Sequence, residues 1–353
     1  MNNMSHSLQK ENRKKIFLAF FFILLMIGSI GLIIGFNKEF SLKMFLSFLK
    51  GTNLWFIIFS ILVIVFYVLA EGWSIVTVAK AFGYTFKKSD ALYYAAADIY
   101  FSAITPSASG GQPASAYFML KDGVSGAVVT VSLLYTLYMY SISIILLNVV
   151  VLILHPSIFI HLDWMAQLLV VIGFMVQSFF LFLFYCLLYK DKFLKKISIW
   201  GLNLLVKLHL IKNREEKIKR LDAAIEKYQA SSKMIHGKKN VLIKLFLFNL
   251  LQRICQIGVI ILVFLATGGS FRDVFDIFVI ECLVIMGAYS VPIPGAMGVT
   301  DYLMLNGFLR LMPMEQAVNL ELLSRGVSFY FCILSCGILV IIRYLKIKRS
   351  SKL

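Results

Sequence analysis

Apolar runs far longer than a soluble core helix needs alternate along this chain with short basic segments. Charge-free or nearly charge-free runs occupy 16–36, Leu54–Ala81, 124–154, Trp164–Tyr189, 241–266 and 326–342. A bilayer core takes up about 20 residues of helix, so these six runs read as membrane-spanning helices. Two more apolar segments are interrupted. Residues 91–120 are broken by "TPSASGGQPA" at 105–114, and residues 276–311 by "YSVPIPGAMG" at 289–298. The pattern predicts an all-α polytopic membrane protein with six full transmembrane helices plus two re-entrant or broken helical hairpins.

Composition excludes a soluble globular domain. The chain is 60% hydrophobic and only 15% charged, whereas soluble domains carry roughly a quarter charged residues. The formal charge of +17 sits beside the spans, in the N-terminus, the 190–240 loop and the C-terminal tail. Such a distribution fits membrane orientation and contact with anionic lipid, and no nucleic-acid partner is expected. These basic segments predict cytoplasmic N- and C-termini and a cytoplasmic 190–240 loop. The 155–163 loop has no Lys or Arg and reads as external. Threading the chain then requires 91–123 to begin and end inside, and 276–313 to begin and end outside. The expected layout is a basic N-terminus (1–15), a transmembrane domain (16–345) with halves at 16–154 and 164–342, and a basic tail (346–353). The run at 16–36 is too long for a cleaved signal and reads as a retained anchor.

The halves therefore have opposite topology, and the sequence carries a faint repeat. With a shift of 185 residues and no gaps, "AFGYTFKK" (81–88) falls on "ATGGSFRD" (266–273), "SGG" (109–111) on "PGA" (294–296), and "YFML" (117–120) on "YLML" (302–305). Inverted repeats with matching broken helices are characteristic of secondary transporters.

The breaks carry the candidate chemistry. Unpaired backbone N–H and C=O groups are expensive in lipid, so a non-helical stretch at membrane depth needs protein or water around it. Pro106 and Pro113 read as interruptions of the helical ladder. Gly110 and Gly111 permit turns and close approach. Thr105, Ser107, Ser109, Ser115 and Gln112 supply hydroxyl and amide partners. A half-helix starting near Gly111 would aim free N–H donors inward, a setting suited to a phosphate. Pro294 and Gly295 mark the matching break. The bland alternative is close helix packing through small residues.

Charge inside apolar runs is the second signal, since an ionised side chain at mid-bilayer costs roughly 2.5–3.5 kcal/mol on insertion scales. Glu71, Asp98, Arg253, Glu281 and Asp301 lie in or beside such runs. They read either as lining of a polar path or as structural ion pairs, with Arg253 matched to Glu71 or to Glu281. Arg325 reads as a snorkelling interfacial residue at the start of the last span. Tyrosines 93, 94, 100, 135, 138 and 140 suit a headgroup path or ordinary packing. The five cysteines, all within apolar runs, read as small hydrophobes, and the five scattered histidines suggest no metal site. Neither a P-loop, nor GxSxG, nor HExxH occurs, and no cofactor is expected. In the 190–240 loop, Leu221, Ala224, Ile225 and Tyr228 recur at helical spacing. They predict an amphipathic helix on the inner leaflet.

Glu71-Gly72, "TPSASGGQPA" at 105–114 and "PIPGAMGVTD" at 292–301 resemble the flippase-like membrane domain of the lysylphosphatidylglycerol synthase family, the membrane part of the bacterial multiple peptide resistance factor. The resemblance covers about residues 12–345. Members often show "PGGxGxxE"; here Ala296 replaces the second Gly and Asp301 the acid. The resemblance implies a lipid translocase of the bacterial plasma membrane. Lysylphosphatidylglycerol or a related polar lipid would move between leaflets, with cationic-peptide resistance as the outcome. It implies phospholipid headgroups as partners, phosphate held at Gly110–Gly111, and a cationic headgroup met by Asp98, Glu281 and Asp301. The family's aminoacyl transfer belongs to a separate soluble domain, for which no residues are visible. Two other readings remain: a phosphatidylglycerol lysyltransferase or its membrane subunit, and a scaffold for an envelope-lipid enzyme. A separate synthase or glycosyltransferase partner and a homo-oligomer are both compatible with the sequence.

Overall fold

The computed structural model describes residues 49–207 and 214–350. The basic N-terminus and the expected span at 16–36 lie outside the described residues. Within them the chain is all helix and turn. Its helices are α1 (Leu54–Ala81), α2 (Lys88–Ile104), α3 (Gly111–Lys121), α4 (Gly126–Leu154), α5 (Pro156–His161), α6 (Trp164–Tyr189), α7 (Asp191–Lys207), α8 (Arg214–His236), α9 (Lys239–Ala266), α10 (Val274–Gly287), α11 (Val299–Phe308), α12 (Met314–Arg325) and α13 (Cys332–Ser350). Among the described residues, five helical stretches are long and apolar enough to cross a membrane: α1, α4, α6, α9, and Met314–Lys348 running through α12 and α13.

The frame is built on α1 and α9. Both are 28 residues long, and they pack together more extensively than any other pair. They run antiparallel, tied at both ends. The Asn53 N–H donates to the Ala266 carbonyl (2.7 Å) beside the α1 N-terminus, where Asn53 Oδ1 also accepts from the Trp55 N–H (3.1 Å) and caps the helix. At the other end Lys238 Nζ donates to the Ala81 carbonyl (2.8 Å).

A shift of 185 carries α1 onto α9 and Gly83 onto Gly268, both glycines in the left-handed region at φ +89° and +87°. Beyond that point the register differs from the sequence-based expectation. The tight turn Pro106–Ala108 matches Pro294–Ala296, α3 begins 188 residues before α11, and α4 begins 188 before α12. The second half therefore has three more residues between span and break. The backbone decides the alignment: Thr105 and Ile293 are extended, while Ser107 (φ 52°) and Gly295 (φ 60°) are left-handed. The "SGG"-on-"PGA" pairing is off by those three residues.

Two helical hairpins hang on this frame. Hairpin one (α2, the first break, α3) packs on α1, α4 and α13, around Ile75, Tyr94, Ala95, Ala96 and Met119. Hairpin two (α10, the second break, α11) packs on α4 and α6, around Ile144, Val170, Ile277, Leu283 and Phe308. Polar contacts fix each hairpin's open end. Arg343 of α13 pairs with Asp122, which also accepts from Tyr94 Oη (2.6 Å); Lys346 donates to Tyr93 Oη (3.0 Å). On hairpin two, Tyr302 Oη donates to Asp163 Oδ1 (2.6 Å), and His155 Nε2 lies 3.0 Å from Asp276 Oδ1.

Three further expectations need correction. The last span does not start at 326 but at Met314, because α12 continues through a π-helical segment, Gly326–Phe331, into α13. Pro113 does not break a helix. It is the third residue of α3, where the backbone N–H would lack a helical partner anyway. The amphipathic α8 does not turn its apolar side to lipid. Tyr228 and Ile235 are buried with Tyr135, Leu188 and Leu245, and Tyr228 Oη and Ser232 Oγ donate to the Leu187 and Leu188 carbonyls (both 3.1 Å). The exposed carbonyls at the end of α6 offer α8 acceptors that lipid lacks.

Each hairpin docks against a span through a glycine. A Cβ on Gly72 of α1 would sit 2.5 Å from the Ala91 carbonyl oxygen of α2, and one on Gly173 of α6 would strike the Met286 carbonyl of α10. A Cβ on Gly201 of α7 meets nothing within 4 Å. Gly72→Ala and Gly173→Ala should each lower stability by about 1–3 kcal/mol through backbone displacement. Gly201→Ala should raise it by about 0.5–1 kcal/mol through helix propensity. Thermal unfolding of the three variants in detergent checks the ordering.

Candidate functional site

The two breaks touch. The turn at Pro106–Ala108 packs against the turn at Pro294–Ala296, and α2 reaches the second turn as well. Around the junction Ala103, Met297 and Ile333 are buried together with Tyr100, Ile104 and Phe329 packed on them.

The first break is stapled internally. Thr105 Oγ1 donates to the Phe101 carbonyl (2.6 Å) and accepts from the Gly110 N–H (2.8 Å). Thr105 thus serves the backbone of the turn. Pro106 through Ser109 are exposed, so Ser107 and Ser109 face outward from the turn. Gly110 and Gly111 are needed for closeness. A Cβ on Gly111 would run into Asp98 Oδ1 and Ser102 Oγ. The first turn of α3 is thereby brought against the Asp98 carboxyl, which accepts from Gln112 Nε2 (2.7 Å) and Ser102 Oγ (3.2 Å). The Asp98 carboxyl thus lies beside the start of α3.

Asp98 belongs to a buried cluster. Glu71 of α1 is buried close to Asp98, Gln252 and Arg253. Of the two candidate acids, Glu71 lies near Arg253, whereas Glu281 lies near Arg325. The Arg253 guanidinium lies 4.5 Å from the Tyr140 ring centroid and 5.7 Å from that of Tyr67, and Nη1 donates to Tyr140 Oη (3.3 Å) and to Gln256. Tyr140 also hydrogen-bonds Tyr289, at the second break. Arg253 Nε is buried without a hydrogen-bond partner. The cluster thus joins α1, α2, α3, α4, α9 and the second break.

The second cluster lies where hairpin two meets the last span. Asp301 Oδ2 accepts from the Gly298 N–H (2.8 Å) and caps α11. Its Oδ1 lies 2.7 Å from Arg325 Nε, a charge contact without hydrogen-bond alignment. Arg325 also stacks on Phe329, 4.2 Å from the centroid. Far from snorkelling, it is only 5% exposed. Glu281 of α10 faces the same guanidinium. So does Glu321, which is 1% exposed and has no hydrogen-bond partner at either carboxyl oxygen.

The structure thus brings together Glu71, Asp98, Gln112 and Arg253 in one cluster and Glu281 with Asp301 in another. Thr105, Ser107, Ser109, Gly110, Gly111, Pro294 and Gly295 form the paired breaks between them. Sequence reasoning missed Glu321 and Gln252, and it noted Tyr289 only as the first residue of the second break. It also misread Arg325. The available signal was helical spacing: Glu321 and Arg325 are four apart, on one face of a helix that the expected span excluded. Among the described residues no group of His, Cys, Asp and Glu is arranged to hold a metal ion.

The family model described as "Lysylphosphatidylglycerol synthase TM region" matches residues 15–336. No curated protein and no solved structure matches the chain.

Two outcomes follow from this geometry. Arg325→Met leaves three buried carboxyls around an apolar group and should cost about 3–5 kcal/mol. Asp301→Asn keeps Glu281 and Glu321 as counter-charges and should cost clearly less; thermal melts of both variants measure the difference. Ala296 holds φ 48°, where a Cβ is strained by about 1–2 kcal/mol. Ala296→Gly should therefore stabilise the fold in the same assay.

Proposed function

This chain belongs to the lysylphosphatidylglycerol synthase TM-region family, and from that premise we propose that it is a lipid translocase acting along the line where its two helix breaks meet. The single observation that carries the reading is the contact between the breaks, flanked on either side by buried charge. A hydrocarbon slab penalises both irregular backbone and charge. Their coincidence at one junction, contributed by both halves, is what a polar headgroup path requires.

In this reading the hairpins are re-entrant, each dipping into the bilayer from its own side, and six spans surround them in a bacterial plasma membrane with both termini cytoplasmic. The headgroup moves between the hairpins while its acyl chains stay in lipid. Phosphate is received at Arg253, whose buried Nε lacks a partner, because Asp98 already faces the helix end at Gly111. The acids Glu281, Asp301 and Glu321 exceed the single guanidinium among them and suit the ammonium groups of a lysyl headgroup. Export of such a lipid lowers outer-surface negative charge and gives resistance to cationic peptides.

The test uses the purified chain in liposomes with trappable lysylphosphatidylglycerol in one leaflet. Exchange should exceed that of empty liposomes. Asp98→Asn and Gly111→Ala should slow it by about tenfold or more, a barrier change of about 1.4 kcal/mol. Exchange equal to that of empty liposomes for aminoacylated and glycosylated lipids alike would refute translocation and favour a scaffold for a lipid-synthesis enzyme.

A further inference from the structure

A different surface lies away from both clusters, at the end of span α6. Two residues beyond the end of span α6, the chain re-enters helix as α7. One flank of α7 is committed to protein. Leu194 packs against the cluster that includes Leu188 and Tyr228. Lys195 Nζ pairs with Asp222 of α8 (3.1 Å), and Asp191 with Lys233 of α8 (2.8 Å). These ties fix the roll of α7 about its axis.

They leave a second apolar stripe on the opposite face: Phe193 and Ile197, both half-buried, and the exposed Trp200, spaced four and three residues apart. Trp200 is 63% exposed. Lys192 and Lys196 are exposed beside the stripe. At the adjoining end of α6, Tyr185 and Tyr189 stack with centroids 5.1 Å apart, and Lys190 lies over the Tyr185 ring at 5.9 Å.

We infer that the outer face of α7 is an in-plane anchor that binds an anionic lipid surface, with Trp200 seated at headgroup depth and Lys190, Lys192 and Lys196 drawing acidic headgroups to it. The face is continuous with a membrane span, which fixes its height near the interface. Aromatic rings with one wet edge gather at that depth. A helix carrying an apolar stripe beside lysines lies flat there, and each surface lysine enriches anionic lipid locally. The ion pairs to α8 neutralise the inner lysines, so the outward charge is positive and complements an acidic leaflet. This inference is independent of whether lipid is translocated.

The test is local fluorescence quenching on the full chain in vesicles. The emission of Trp200 is isolated as the difference between the unaltered protein and Trp200→Phe, which changes one exposed ring. Shallow-brominated phosphatidylglycerol should quench that difference signal about two- to fivefold more than equally brominated phosphatidylcholine at the same mole fraction. Lys192→Glu with Lys196→Glu should abolish the preference for phosphatidylglycerol and leave circular dichroism unchanged. Equal quenching by the two lipids overturns the anionic-lipid inference. So does quenching by aqueous iodide with none by brominated lipid, which would place Trp200 in water or against a protein partner.

Discussion

Everything in this molecule follows from a rule about backbone amides: where no water reaches, each must find a partner within the protein. Regular helix meets that rule automatically, and two short stretches abandon regular helix. The first is made tolerable by Thr105, which accepts the Gly110 N–H and donates to the Phe101 carbonyl. The second relies on the Asp301 carboxyl at the Gly298 N–H. The two breaks pack on each other, with Pro106 to Ser109 left exposed. The glycines at 72 and 173 let α2 and α10 approach α1 and α6 closely.

The repeat governs backbone but not chemistry. Adding 185 to Glu71 gives Gln256, and subtracting 185 from Arg253 gives Val68. Subtracting 188 from Arg325 gives Leu137. Acids and guanidiniums are thus placed independently in the two halves. The first cluster is bridged by amide and hydroxyl groups from Gln112, Gln252 and Tyr140. The second is nearly bare of them, with Glu321 holding no hydrogen bond at either carboxyl oxygen. A near-symmetric scaffold therefore offers two unlike electrostatic environments.

The large-scale architecture was legible because it depends on run length and on Gly and Pro punctuation. The spans Leu54–Ala81 and Trp164–Tyr189 were read with the bounds they have, and both breaks were located. What was not legible depended on pairing across the fold. Whether Arg253 meets Glu71 or Glu281 is decided by how α1 lies on α9, not by spacing. Arg325 looked interfacial because charge usually marks the edge of a span; Asp301, 24 positions earlier, supplies its counter-charge within the packed helices. The three-residue offset between halves escaped because ungapped matching rewarded the "YxML" coincidence. The fate of the α8 stripe turned on carbonyls at the end of α6, which a hydrophobic pattern does not register.

The base of hairpin one is closed by Arg343, whose partner Asp122 lies 221 positions earlier in the chain. Protein is made from the N-terminus, at about 5–20 residues per second. Hairpin one, with Glu71 and Asp98 beside it, is therefore complete roughly 10–40 s before its last anchor leaves the ribosome. During that interval Asp122 and Tyr94 are in place without the guanidinium that later joins them. The base of hairpin one therefore closes only after the last helix has been made.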